Sequence, residues 1–142
     1  MINFKRLLMT ILFYIFRVFP IKNNKIVVSS YAGRGYGGEG KSIVDELLKR
    51  TNKYDIVWLC KNENENMPTG VRCVKYLSLK SIYEQVTAHI WIDNRRKPGY
   101  VRKRKGQYYI QTWHGGLPLK KIEADAESQL SEEYVRKAKL DG

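Results

Sequence analysis

The chain has 142 residues, 26 basic and 14 acidic, for a net charge of +12, with 43% apolar and 12% aromatic residues. Three Trp and ten Tyr can bury ample surface, so general disorder is excluded and one domain with a true core is expected. Two cysteines are too few for a disulfide scaffold, which makes a reducing compartment the expectation, and the positive charge calls for a polyanionic partner: nucleic acid, an anionic membrane or a phosphate-rich substrate.

The charge is uneven. Residues 1–105 carry 21 basic and 8 acidic side chains, whereas residues 106–142 carry 5 and 6. Met1 to Pro20 opens the chain with an apolar run from Leu7 to Phe16, interrupted only by Thr10 and flanked by Lys5, Arg6 and Arg17. The run is about half the ~20 residues that a bilayer-spanning helix needs, and no small-x-small cleavage site follows it. An amphipathic helix in a membrane interface, with Lys5, Arg6, Arg17 and Lys22 near anionic headgroups, is the expected reading. A helix packed on the protein's own core and a signal or spanning segment are the alternatives.

Lys25–Ser30 is a β-branched run expected to form a buried strand. A glycine-rich loop follows (Gly33, Gly35, Gly37, Gly38, Gly40), then an amphipathic helix over 42–50 with Lys49 and Arg50 in its last turn. Further strands are predicted at Tyr54–Cys60, Val71–Lys75, Ala88–Asp93 and Gly106–Trp113. A polar loop with Pro68 fills 61–70, a short helix capped by Ser78 spans Leu77–Val86, and Leu117 onward reads as helical. Strands alternating with helices predict a parallel α/β sheet of Rossmann-like type. Cys60 and Cys73 read as small buried hydrophobes, and two Cys with two His do not reach metal-site spacing, so no metal is expected.

Three segments could carry chemistry. Gly35–Ser42 (GYGGEGKS) fits a phosphate-binding loop between a strand and a helix, with Lys41 reaching terminal phosphates, Ser42 on Mg²⁺ and Asp93 as an acidic partner. Against it, five residues separate the apolar strand core from Gly35, so a plain βα loop near an anionic ligand is the competing reading. Arg95, Arg96, Lys97, Arg102, Lys103, Arg104 and Lys105 place seven cations in eleven residues. This stretch is a solvated loop, a contact for anionic lipid or a phosphate-bearing substrate, or a nucleic-acid patch. Finally, His114 stands at a predicted strand end before Gly115, Gly116 and Pro118. An imidazole there titrates near neutral pH and can take a proton from an alcohol, while the glycines let a substrate approach the backbone. A structural turn residue is the alternative. His89, inside an apolar strand, reads as a satisfied core residue.

The stretch from Tyr109 through Trp113-His114-Gly115-Gly116 to Ile122, with Asp125 just beyond, resembles the signature of the CDP-glycerol glycerophosphotransferase family, the teichoic-acid glycerol-phosphate primases and polymerases. The commoner form has Thr-Pro after His-Gly; here Gly116 and Leu117 precede Pro118. The likeness extends to residues 25–43 and to Lys103–Gln107. It implies the first half of a glycosyltransferase-B-type fold, with residues 1–20 as an interface helix, 21–142 as an acceptor-side Rossmann-like domain, and the nucleotide-binding half absent. It further implies that His114 is the general base on an acceptor hydroxyl. Substrate contacts would come from Trp113, Gly115, Gly116, Lys120, Asp125, Arg95 and Arg96, and membrane contacts from Lys5, Arg6 and Arg17. The implied partners are CDP-glycerol as donor, a lipid-linked or polymer acceptor and the cytoplasmic membrane surface, with no nucleic acid and no resident cofactor. The chain alone is expected to be inactive.

Overall fold

The computed structural model describes residues 3–113 and, beyond them, Ser131, Glu132, Val135, Arg136 and Lys139. The elements run α1 (Phe4–Ile15), a 3₁₀ turn (Phe16–Val18), β1 (Lys22–Ser29), α2 (Gly38–Arg50), β2 (Asp55–Cys60), β3 (Val71–Lys75), α3 (Leu79–Thr87), β4 (Ala88–Asp93) and β5 (Tyr108–Gln111). The strands form one sheet in the order β3-β2-β1-β4-β5, and every pairing is parallel. The predicted α/β, Rossmann-like architecture is therefore the one observed.

Alternation along the strands explains the layers, because successive side chains point to opposite faces. Val27, Val57, Leu59, Val74 and Trp91 face one side, where Ile82 and Val86 of α3 and Phe13 of α1 cover them. Ile26, Val28, Ile56, Trp58 and Ile92 face the other, under Val44 of α2. Strands covered on both faces read as near-continuous apolar runs, which is why they were legible.

The boundaries differ from expectation where polar chemistry intervenes. β1 begins at Lys22, and Lys25 is buried because its ammonium is held by Glu84 Oε2 (2.6 Å) and Thr87 Oγ1 (2.9 Å). α2 begins four residues earlier than expected, at Gly38, because Gly40 is a packing residue of the helix: a Cβ there would stand 3.0 Å from Val28 Cγ1. α3 starts at Leu79, with Ser78 Oγ accepting from Ser81 N (3.1 Å) as the cap. β5 is shortened to Tyr108–Gln111, since the Gln107 amide is taken up in a turn by the Arg104 carbonyl (3.1 Å), while its side chain donates to the carbonyls of Gln85, Val86 and Ala88. The helix expected from Leu117 begins outside the described residues.

The cysteines correct the sequence reading. Cys60 and Cys73 form a disulfide between β2 and β3 rather than packing as separate hydrophobes. Cys73 pairs in register with Trp58 and Cys60 with Lys75, so both sulfurs project to the α2 face from adjacent strands.

α1 binds the sheet through fully buried Phe13, with Met9, Leu12 and Phe16 packed around the core. Its opposite side leaves Phe4, Leu7, Leu8, Ile11 and Ile15 exposed. No helix among the described residues is long and apolar enough to cross a membrane.

Candidate functional site

From β1 the chain steps outward to β2 and β3, then crosses back to β4 and on to β5. The connections leaving β1 and β4 thus diverge, and the crevice at the carboxyl ends of these two strands is where open α/β sheets hold ligands.

The residues at that crevice are tightly tied. Ser29 ends β1 and Ser30 follows it, and Asp93 ends β4 and Asn94 follows it; all four are buried. Ser29 Oγ donates to Asp93 Oδ2 (2.5 Å), and the Arg95 amide donates to Oδ1 (3.1 Å). Lys97 Nζ lies 3.0 Å from Oδ2 as a buried ion pair. Asn94 Oδ1 accepts from the Tyr31 amide (2.8 Å), while its Nδ2 donates to Ser30 Oγ (3.1 Å). The first residues after β1 are strained: Tyr31 (φ 48°) and Ala32 (φ 57°) are left-handed, and Gly33 (φ 84°) follows them. Such backbone costs on the order of 1–2 kcal/mol per non-glycine residue and persists only where neighbours over-determine it, as Asn94 does here. Gly38 completes the wall, since a Cβ there would lie 2.9 Å from Ser30 Oγ.

β5 brings a third strand end to the same edge. Gln111 pairs in register with Asp93, and the Thr112 amide donates to the Asp93 carbonyl (2.9 Å). Gln111 Nε2 is buried with no hydrogen-bond partner among the described residues. Trp113 follows in a left-handed conformation (φ 59°), half-buried at the carboxyl edge.

Of the residues singled out from sequence, Trp113, Arg95 and Arg96 come together at this edge, Arg95 exposed and Arg96 half-buried. His114, Gly115, Gly116, Lys120 and Asp125 lie outside the described residues. Lys5 and Arg6 are exposed on the first turn of α1. Arg17 turns back on the protein: its guanidinium stands 4.4 Å over the Tyr14 ring, and its carbonyl accepts from Arg104 (3.1 Å). The seven cations of the 95–105 stretch are not one solvated patch. Lys97 is buried against Asp93, and Arg104 clamps the carbonyls of Phe19 (2.7 Å) and Val86 (3.1 Å). His89 Nδ1 lies 3.2 Å from the Asn23 carbonyl and its ring is edge-on to the exposed Tyr108, so it is hydrogen-bonded as expected but half-buried rather than a core residue.

The phosphate-loop reading of Gly35–Ser42 is not supported by the geometry. Gly38 through Ser42 already belong to α2, so the motif does not curl into a cradle of free amides. Lys41 is paired with Asp45 one turn along its own helix. Asp45 is held below the ordinary carboxylate range by hydrogen bonds from Lys41 and then Tyr36. Tyr36 is raised by burial and by its bond to Asp45. Among the described residues no group of three His, Cys, Asp or Glu side chains is placed to hold a metal ion.

Asn94, Ser30 and the paired role of Lys97 were not foreseen. The available signal was the Asp93-Asn94 pair directly after the apolar strand, at the end of a sheet where ligands bind.

Comparison with known proteins gives a consistent picture. The model of the CDP-Glycerol:Poly(glycerophosphate) glycerophosphotransferase family matches residues 11–141. The chain is 30% identical over 132 residues to the teichoic acid poly(glycerol phosphate) polymerase of Bacillus spizizenii, covering 88% of this chain and 33% of that one. It is 35% identical over 106 residues to the polymerase of the same name from Staphylococcus epidermidis, covering 74% of this chain and 15% of the relative. Among solved structures, the wall teichoic acid polymerase TagF superposes with a TM-score of 0.73 at 30% identity, over 82% of this chain and 29% of that chain. A TagF variant soaked with CDPG gives a TM-score of 0.72 at 30% identity. The chain spans a third or less of the length of these relatives.

Proposed function

The chain belongs to the CDP-glycerol:poly(glycerophosphate) glycerophosphotransferase family, and from that premise we propose that it is the acceptor-side part of an enzyme transferring glycerol phosphate from CDP-glycerol to a growing cell-surface polymer. The acceptor hydroxyl sits over the carboxyl ends of β1, β4 and β5. His114, the residue after Trp113, takes the proton from that hydroxyl as its oxygen attacks the β-phosphorus and CMP leaves. Such a transfer needs positioning and charge stabilisation more than covalent help. Arg95 and Arg96 supply positive charge toward the phosphates, and the buried Gln111 amide supplies a donor for a substrate oxygen. Gly115, Gly116, Lys120 and Asp125 complete the substrate contacts of the same segment.

One observation carries this reading: the strained Tyr31–Gly33 turn, the Asp93–Asn94 pair and Trp113 converge on one sheet edge at the topological switch point. The nucleotide part of CDP-glycerol is assigned to the length of the relatives that this chain does not span, so the chain alone is expected to turn over no donor.

Amide NMR titration of the 142-residue chain tests the assignment. A short poly(glycerol phosphate) oligomer should shift Tyr31–Gly38, Asn94–Arg96 and Trp113, with CDP-glycerol much weaker at the same concentration. Tight CDP-glycerol binding with a silent oligomer, or turnover of CDP-glycerol by the chain alone, would contradict it.

The same reading places the protein peripherally on the cytoplasmic membrane face. Supporting it, α1 presents Phe4, Leu7, Leu8, Ile11 and Ile15 outward beside Lys5 and Arg6, the arrangement that seats a helix in the headgroup boundary.

A further inference from the structure

The Cys60–Cys73 bond sits where it can influence the candidate site, although neither residue belongs to it. Cys60 closes β2 at the carboxyl edge and is fully buried, whereas Cys73 lies in the five-residue edge strand β3 and is half-buried. Their Cα atoms are 6.4 Å apart and thirteen residues apart in sequence, so the bond ties together both ends of the polar 61–70 connection. That connection braces the glycine-rich loop. The Lys61 amide donates to the Gly33 carbonyl (2.8 Å), and a Cβ at Gly33 would stand 3.1 Å from Tyr76 Cβ. The Tyr76 amide in turn donates to the Cys60 carbonyl (2.7 Å), and Trp58 Nε1, two residues before Cys60, donates to the Gly35 carbonyl (3.2 Å). The left-handed turn at Tyr31–Gly33 is thus held from one side by Asn94 and from the other by the segment the disulfide spans.

We propose that Cys60 and Cys73 are a reversible dithiol–disulfide switch that sets the rigidity of the glycine-rich loop by exchange with low-molecular-weight disulfides. In a reducing compartment a pair of this kind is opened and closed rather than permanently bonded. The half-buried Cys73 thiolate attacks one sulfur of the small disulfide and expels one thiolate, giving a mixed disulfide. The Cys60 thiolate then attacks the Cys73 sulfur and expels the second. Two electrons pass from the cysteine pair to the small disulfide, which leaves as two thiols. The bond restrains β3 and the 61–70 connection against β2, and through Lys61 and Tyr76 it stiffens Gly33. The reduced form retains the fold, because β3 keeps its ladder with β2 and Val74 stays in the core.

The test uses the 142-residue chain equilibrated with oxidised or reduced glutathione. Oxidation should remove two hydrogens from the mass without adding glutathione, and excess reduced glutathione should restore them under native conditions. The melting temperature should rise by roughly 5–10 °C on oxidation, as closing a loop of this length implies. Amide exchange at Lys61, Gly33 and Arg34 should slow by at least about fivefold more than at Trp91, whose amide in the sheet centre reports global opening. Cys73→Ser, placed at the half-buried member to spare the core, should keep the reduced protein's spectrum and show no response to oxidised glutathione. Failure to form the intramolecular bond overturns the switch, as does a bond that native-state reduction cannot open. Gly33 and Arg34 amides that track Trp91 in both states overturn it equally.

Discussion

Lys25 Nζ, 1% exposed, lies 2.6 Å from Glu84 Oε2 at the amino ends of the strands, and Arg72 reaches Glu84 Oε1 (2.8 Å) while gripping Asp55 with two bonds. Burial alone would raise Glu84. Hydrogen bonds from Arg72 and Lys25 outweigh it and hold the carboxyl below its usual range. Arg72 does the same for Asp55. Because both folded-state values are lowered, the stabilisation is fully present above the unfolded carboxylate range, near pH 4–4.5, and is lost as pH falls through the folded values. Urea unfolding should therefore give a plateau above about pH 5 and a steep decline below pH 4. Lys25→Met strands a buried carboxylate that keeps only Arg72, and should cost about 3 kcal/mol at pH 7. A loss under 1 kcal/mol would show that the pair is not desolvated as described. The lysine's role was hidden in the sequence, where Lys25 reads as the polar edge of a strand and its partner is 59 residues away.

At the scale of elements, α2 separates what sequence reveals from what it conceals. Its apolar spacing and basic last turn announced a helix, but Gly38 and Gly40 read as loop. Gly40 is helical because its missing Cβ lets α2 approach Val28 and Trp58 at 3.0 and 3.4 Å. Gly40→Ala gains helix propensity of up to about 1 kcal/mol, yet it must push on a fully buried valine. A net loss of about 1 kcal/mol in thermal or urea unfolding is expected, and stabilisation would contradict the packing role. The strands were legible because a doubly covered parallel sheet writes itself as short apolar runs, and β3 and β4 were placed to the residue. Strand order was not legible, since it depends on the α3 crossover carrying the chain past β1. The candidate site was legible only in part for the same reason. Trp113 and Arg95 were visible as motif and charge, while the Ser30–Asn94 bond exists only once β1 and β4 are neighbours. The disulfide was missed because strand register, not spacing, brings its sulfurs together.

For the whole molecule, two surfaces organise the proposed function: the carboxyl edge of the sheet and the outward side of α1. Phe13 anchors α1 so firmly that deleting the helix would damage the core, so its outer side has to be tested by substitution. Leu7→Glu with Ile11→Glu should reduce flotation with anionic liposomes at least about fivefold while leaving the melting temperature within a few degrees, because both residues are 45–46% exposed. Equal flotation of the variant and the parent would remove the membrane surface from the account. The proposed role of His114 as general base is tested most directly in a chimera joining this chain to the remaining length of the Bacillus spizizenii relative, assayed for CMP release from CDP-glycerol with a glycerol-phosphate acceptor. Activity in the parent chimera and a fall of about 10²–10⁴-fold for His114→Ala, with acceptor KM little changed, is the expected result; near-parental turnover by the alanine variant would contradict the assignment of the base.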